Sequence, residues 1–135
     1  MKKIAYAKIN LTLEILGNNR PDGFHDIKSV MHKINLGDEI EITPRTDGKI
    51  NFICSDSTLC SAEQNLAYRA AKAFFDEYKH ISDLFGADIT LTKITPSGAG
   101  LGGGSADAAC VIDMLTTLFP GVSEEKCDEI CKELG

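Results

Sequence analysis

Five glycines fall within the seven positions from Gly98 to Gly104, inside the run Pro96-Ser97-Gly98-Ala99-Gly100-Leu101-Gly102-Gly103-Gly104-Ser105. Residues without a Cβ let backbone N–H groups crowd around a phosphate, and a helix that follows adds its positive end. The chemistry this stretch can do is anion binding. Three known phosphate loops fit it incompletely. Gly98, Gly100 and Gly103 satisfy G-x-G-x-x-G, but a dinucleotide fold needs another parallel strand after the helix, and here a second helix follows. Gly98 and Gly103 also have P-loop spacing with Ser105 at the hydroxyl position, yet Gly104 stands where the phosphate-reaching lysine belongs. A protein-kinase loop would lie between two strands and be followed by a V-A-I-K lysine, which the sequence does not contain.

A loop of this kind needs a strand before it and a helix after it. Ile89 and Leu91 alternate with Asp88, Thr90 and Thr92, so a strand leads into Pro96. Beyond the glycines, Ala108, Ala109, Ile112, Leu115 and Leu118 form the stripe of a helix opening near Ser105 and ending at Pro120-Gly121. A last helix begins after Ser123, with Glu124 and Glu125 suiting its positive end and Cys127, Ile130, Cys131 and Leu134 on its buried side. Upstream, Leu66, Ala67, Ala70, Ala71, Phe74, Phe75 and Tyr78 predict a helix from Leu66 to about His80, with Asn65 as its N-cap. The first third reads as β. Ile9, Leu11, Leu13 and Ile15 alternate with Lys8, Asn10, Thr12 and Glu14, which puts Lys8 and Asn10 on one face and the apolar set on the other. Turn formers at Asn18 to Gly23 precede a less regular strand through Ile27, Val30, His32 and Ile34, and short strands are expected at Glu39–Thr43 and Lys49–Cys54.

The 135 residues fit one domain, and 43% hydrophobic with 25% charged residues is the composition of a globular chain. Fourteen Lys and Arg against twenty Asp and Glu give a net charge of −6, which argues against a nucleic-acid partner. No apolar run approaches the roughly 20 residues of a membrane span, and the Met1-Lys2-Lys3 start leads into alternating residues, so no membrane partner and a cytoplasmic location are expected. Five cysteines, Cys54, Cys60, Cys110, Cys127 and Cys131, contain no C-x-x-C pair and read as buried reduced thiols.

Four landmarks in order, Ala7-Lys8-Ile9-Asn10-Leu11, Arg20-Pro21-Asp22-Gly23-Phe24-His25, Gln64-Asn65-Leu66 and Pro96 through Ser105, resemble the diphosphocytidyl-methylerythritol kinase family of the GHMP small-molecule kinase superfamily. The glycine loop points only to the superfamily; the first two landmarks are specific to that family. The resemblance implies an α+β GHMP-kinase N-terminal domain with a ribosomal-protein-like fold and a left-handed βαβ element. It implies ATP and Mg2+ as cofactors and phosphorylation of the 2-hydroxyl of CDP-methylerythritol, in the non-mevalonate route to isoprenoid precursors. Two alternatives stay open: another GHMP kinase, such as a homoserine or mevalonate kinase, or a nucleotide-binding module without transfer activity.

Carried over by position, Lys8 matches the catalytic lysine, and Asn10 beside it offers an amide to the substrate. Phe24 and His25 match the pair that holds cytosine, with Phe24 keeping the ring but not the hydroxyl of the more usual tyrosine. Asn65 either reaches the nucleotide base or only caps its helix. Pro96, Ser97, Gly98, Ala99, Gly100, Leu101, Gly102, Gly103, Gly104, Ser105 and Ala106 match the ATP-binding segment. Within it Ser105 is the candidate magnesium contact, and Ala106 replaces a second serine. Lys93 either assists the phosphates or is a strand-end solubility residue. In the family the helix ending in Leu-Gly runs on into G-A-D-V-P-F, whose aspartate partners the lysine. Residues 1–135 are therefore expected to be an N-terminal domain that stops before that aspartate and lacks the C-terminal domain. Asp107 and Asp113 match no such motif. The chain alone is expected to be inactive and to self-associate through an exposed strand edge.

Overall fold

A computed structural model of the chain describes residues 1–19, 25–56 and 62–134. Strand β1 (Lys2–Asn19) and strand β2 (His25–Arg45) form a long antiparallel hairpin. Strand β3 (Ile50–Cys54) leads through helix α1 (Leu66–Glu77) and the short turn of helix α2 (Lys79–Ser82) to strand β4 (Gly86–Thr92). The sheet order is β1-β2-β4-β3, with β2 and β4 antiparallel and β3 and β4 parallel. Helix α3 (Gly103–Leu118) and helix α4 (Glu124–Leu134) complete the chain. No helix among the described residues is long and apolar enough to cross a membrane.

One face of the sheet carries the core. Ile40 and Ile42 of β2 and Ala87, Ile89 and Leu91 of β4 recur every second residue and are buried against α1 and α3. The helices answer at helical spacing, with Ala67, Ala70, Ala71 and Phe74 from α1 and Val111, Met114 and Leu115 from α3. Small residues on α1 let it approach α3 closely, and Phe74 packs with Phe75, Tyr78 and Phe119.

Three expectations need correcting. The two strands expected on either side of Gly37 are one strand, β2, with a register shift at their junction between the Tyr6↔Gly37 and Lys8↔Lys33 pairs. Gly37 permits this because a Cβ there would sit 2.6 Å from the Ala5 carbonyl oxygen. The helix from Leu66 stops at Glu77 rather than near His80, because Tyr78 leaves helical geometry (φ −101°, ψ 68°). Its hydroxyl donates to the Ser123 carbonyl and accepts from the Ser123 N–H, both at 3.2 Å, fixing α1 to the start of α4.

The third correction concerns the outer half of the hairpin. Lys8 and Asn10 do share a face, since pairing runs unbroken from Lys8↔Lys33 to Asn10↔Met31. A second shift then places Thr12 opposite Val30, with Leu11 as the extra residue. A shift of one residue swaps faces, so Leu13 and Ile15 follow Lys8 and Asn10 instead of opposing them. Leu11, Leu13 and Ile15 are accordingly exposed and not buried. Of the cysteines within the described residues, Cys127 is buried, while Cys54, Cys110 and Cys131 are free thiols only half-buried.

Candidate functional site

Lys93-Ile94-Thr95 carries the chain from the end of β4 to the glycine loop. Gly98, Gly100 and Gly102 have φ of 72°, 72° and 69°, the left-handed region where a Cβ is strained. The alternation of left-handed glycines with Ala99 and Leu101 coils the backbone into the kind of concave nest that receives anions. Gly102 is also the N-cap of α3 and supplies no side-chain cap, so the first turn of a sixteen-residue helix opens toward the loop. The loop, residues 96–105, lines a cleft of about 380 Å³ together with Gln64, Asn65, Leu66, Lys93 and Asp107.

Strand β1 lies against the other side of the loop. The Lys8 N–H donates to the Leu101 carbonyl at 2.9 Å, and Lys8 Nζ donates to the Gly100 carbonyl at 2.7 Å. A Cβ on Gly102 would come within 3.2 Å of Lys8 Cε. The lysine predicted to be catalytic and the predicted phosphate loop, more than ninety positions apart in sequence, are thus in direct contact. Asn10 follows on the same face, exposed, with its Oδ1 accepting from the Ser29 hydroxyl at 3.2 Å. Asn65 caps α1, its Oδ1 accepting from the Ala67 N–H at 3.0 Å, while the residue also borders the cleft. Its capping role is observed, and a contact with a base remains open to the rest of the amide. Ser105 is exposed in the first turn of α3, and Ala106 behind it is half-buried.

One expected residue is not brought to the loop, and another, Phe24, lies outside the described residues. His25 begins β2, exposed, at the far end of the hairpin and eight positions from the Lys33 that pairs with Lys8. Eight residues of straight strand cover about 26 Å, which the register shifts shorten by bending.

Beneath the loop lies a group of charges of which the sequence reading singled out only Lys93 as a candidate. Asp38, on β2 in phase with Ile40 and Ile42, is fully buried. Its Oδ1 accepts from the Ile94 N–H at 2.6 Å and the Thr95 N–H at 2.7 Å, and its Oδ2 accepts from Lys93 Nζ. Lys93 also donates to Asp107 Oδ2 at 2.8 Å. The Lys93 side chain is only 7% exposed, so it is not a solubility residue at a strand end. Burial pushes the Asp107 carboxyl up to about 7, against the opposing pull of Lys93. Burial also works to raise Asp38, but the Lys93 hydrogen bond and the two backbone amides outweigh it and hold that carboxyl below its ordinary value. For Lys93, burial works to lower the ammonium, and bonds to Asp107 and Asp38 more than offset it. Asp107 Oδ1 and the Thr95 hydroxyl are buried with no protein partner among the described residues.

The family described as GHMP kinases N terminal domain matches residues 65–135, the half of the chain that holds α1, β4, the glycine loop and α3. The chain belongs to the GHMP kinases. Among curated GHMP relatives, the 4-diphosphocytidyl-2-C-methyl-D-erythritol kinase of Synechocystis sp. is 45% identical over 133 residues, covering 97% of this chain and 42% of the relative. The enzyme of the same name from Clostridium beijerinckii is 45% identical over 136 residues, covering 100% of this chain and 47% of the relative. A crystal structure of 4-(cytidine 5'-diphospho)-2C-methyl-D-erythritol kinase superposes with a TM-score of 0.83 at 32% identity over the whole chain and 46% of that structure. A mevalonate kinase crystal structure gives a TM-score of 0.70 at 14% identity, a likeness of fold. The chain therefore spans somewhat under half the length of the relatives it matches, and its α+β architecture is that of their N-terminal domain.

Proposed function

We propose that the chain is the ATP- and substrate-binding half of a GHMP kinase that phosphorylates the 2-hydroxyl of CDP-methylerythritol. The observation that carries this is the contact between Lys8 and the glycine loop. Left-handed glycines shape a phosphate nest, the uncapped start of α3 adds a positive potential, and Lys8 supplies a mobile positive charge at the rim. Phosphoryl transfer requires mainly positioning and neutralisation of charge spread over the transferring oxygens. On binding, Lys8 Nζ exchanges the Gly100 carbonyl for a phosphate oxygen and the acceptor hydroxyl.

Mg2+ bound to ATP would contribute charge neutralisation across the phosphates. The groups here fit it sparingly: no cluster of three His, Cys, Asp or Glu suited to a metal occurs among the described residues, so the ion would be held by phosphate oxygens and the Ser105 hydroxyl. Asn65 is the candidate for the nucleotide base, and Asn10 for the acceptor. His25 at the far end of the hairpin suits a long substrate, in which a diphosphate separates the cytosine ring from the reacting hydroxyl, and Phe24 is the candidate to stack on that ring. That separation favours a cytidine diphosphate ester over a compact acceptor such as mevalonate or homoserine.

The transfer also needs a base for the acceptor proton. Asp38 and Asp107 are committed to Lys93, and no carboxylate among the described residues bonds Lys8, so residues 1–135 alone are proposed to bind without turning over. The test is ATP-dependent phosphorylation of CDP-methylerythritol by a protein of the relatives' full length, against residues 1–135 and a Lys8→Ala control. Turnover of mevalonate in preference to the cytidine ester, or equal turnover by residues 1–135, would refute the assignment.

A further inference from the structure

The three buried charges under the glycine loop occupy positions where the pattern calls for apolar residues. Asp38 continues the Ile40 and Ile42 face of β2, and Lys93 continues the Ile89 and Leu91 face of β4. Because Ile40 pairs with Leu91, extending the register by two residues brings Asp38 beside Lys93. Asp107 lies on the buried stripe of α3 with Val111 and Met114. Buried charges at three core positions destabilise a fold unless they are paired, and among the described residues these pair with one another and with the Ile94 and Thr95 amides that lead into the loop.

The connections are asymmetric. Asp38 fastens the start of the loop through the amides of Ile94 and Thr95. Lys93 links that point to Asp107, two residues beyond the loop's end. The first residue of α3 presses on the same spot, since a Cβ on Gly103 would lie 2.9 Å from Thr95 Cγ2 and 3.4 Å from Asp38 Oδ2. Both ends of the phosphate nest are therefore tied to one ammonium. We infer that Lys93 is a positioning residue that serves ATP through Asp38 and Asp107, holding the two ends of the glycine loop together and cancelling carboxylate charge beneath it, rather than a ligand of the phosphates.

This rests on the glycine loop being the ATP site. Its distinguishing feature is that the value of Lys93 depends on the carboxylates. Without the ammonium, the Asp38 carboxylate is left uncompensated under a site that must accept a polyanion, and the loop's ends lose their tie. Where both carboxylates are already amides, there is no charge left to cancel.

The experiment is a mutant cycle on the chain, reading the affinity for MgATP and for adenosine by titration calorimetry, with thermal melts to confirm folding. Lys93→Met in the parent is expected to weaken MgATP at least 10-fold while changing adenosine binding less than 3-fold. In an Asp38→Asn, Asp107→Asn background the same substitution is expected to change MgATP binding less than 3-fold. A lysine that touches phosphate predicts the same loss in both backgrounds, and that result would overturn the inference while leaving the ATP site in place. Should Lys93→Met fail to fold, Lys93→Gln, which keeps a donor for the carboxylates, is run through the same cycle with the same criterion. If the parent binds MgATP no better than adenosine, the loop is not a phosphate site and both proposals fall.

Discussion

Replacing Asp107 by Asn tests the electrostatics of the buried charges through stability alone. The Asp107 side chain is 3% exposed, one of its oxygens has no protein partner, and burial moves its carboxyl from 3.8 to about 7. A carboxyl raised in the folded state binds a proton more tightly there than in the unfolded chain. Its contribution to stability is thus fully present below pH 3.8 and is lost as the pH rises through 7. Taking those two values, the group stabilises the fold by about 3 kcal/mol at pH 5 and by almost nothing at pH 8. Asn keeps an oxygen for Lys93 and does not titrate. Other ionising groups are common to both proteins and cancel in the difference, and Asp38 and Lys93 are shifted away from this window in opposite directions.

Urea unfolding of the parent and of Asp107→Asn at pH 5, 6, 7 and 8 gives that difference directly, provided the two share the same dependence on denaturant. The parent should gain about 3 kcal/mol on the variant between pH 8 and pH 5, with most of the change below pH 7. A difference that does not vary with pH would show that Asp107 does not change its proton across the range. A gain with the opposite sign would mean that Lys93 keeps Asp107 ionised and that burial is the weaker influence.

Other substitutions separate binding from folding. Gly102→Val forces a branched residue into a left-handed conformation and against Lys8, so it should cost roughly 1–3 kcal/mol of stability and abolish MgATP binding measured by calorimetry. Asn65→Ala should lower stability by roughly 0.5–2 kcal/mol through loss of the α1 cap, seen in thermal melts, and any further loss of ATP affinity would assign the residue to the base as well. Phe24→Ala should weaken a cytidine diphosphate ligand by about 10- to 100-fold if base stacking has its usual strength, and unchanged affinity would remove the ring from the site. Lys8→Ala in a protein of full length should lower turnover by about 100-fold or more while the melting temperature stays close to that of the parent, because Lys8 is half-buried and, among the described residues, its ammonium bonds a single loop carbonyl.

What the sequence showed plainly was local. Alternation placed β4 and the glycine run before a helix, and Asn65 at the head of a 3.6-residue stripe marked a cap that the structure reproduces. What it hid were register and long-range pairing. Nothing in Ile9 to Ile15 announces that Leu11 is the extra residue of a bulge, because its type and spacing suit a regular strand; only the partner strand decides, and the decision turns Leu13 and Ile15 to the opposite face. The buried charges had a signal of a different kind. Asp38 stands two residues before Ile40, Lys93 two after Leu91, and Asp107 four before Val111, each in step with a core stripe. A single charge in phase with a core is ambiguous, since an element may simply end there. Three such charges of mixed sign, at the end of the strand entering the loop, near the start of the helix leaving it and on a neighbouring strand, are a stronger statement: they can be buried only if they meet, and for them to meet the loop must close over them. Asp38 is thus marked in the sequence itself, as a charge in phase with an apolar stripe whose partner of opposite sign, Lys93, falls in phase with another.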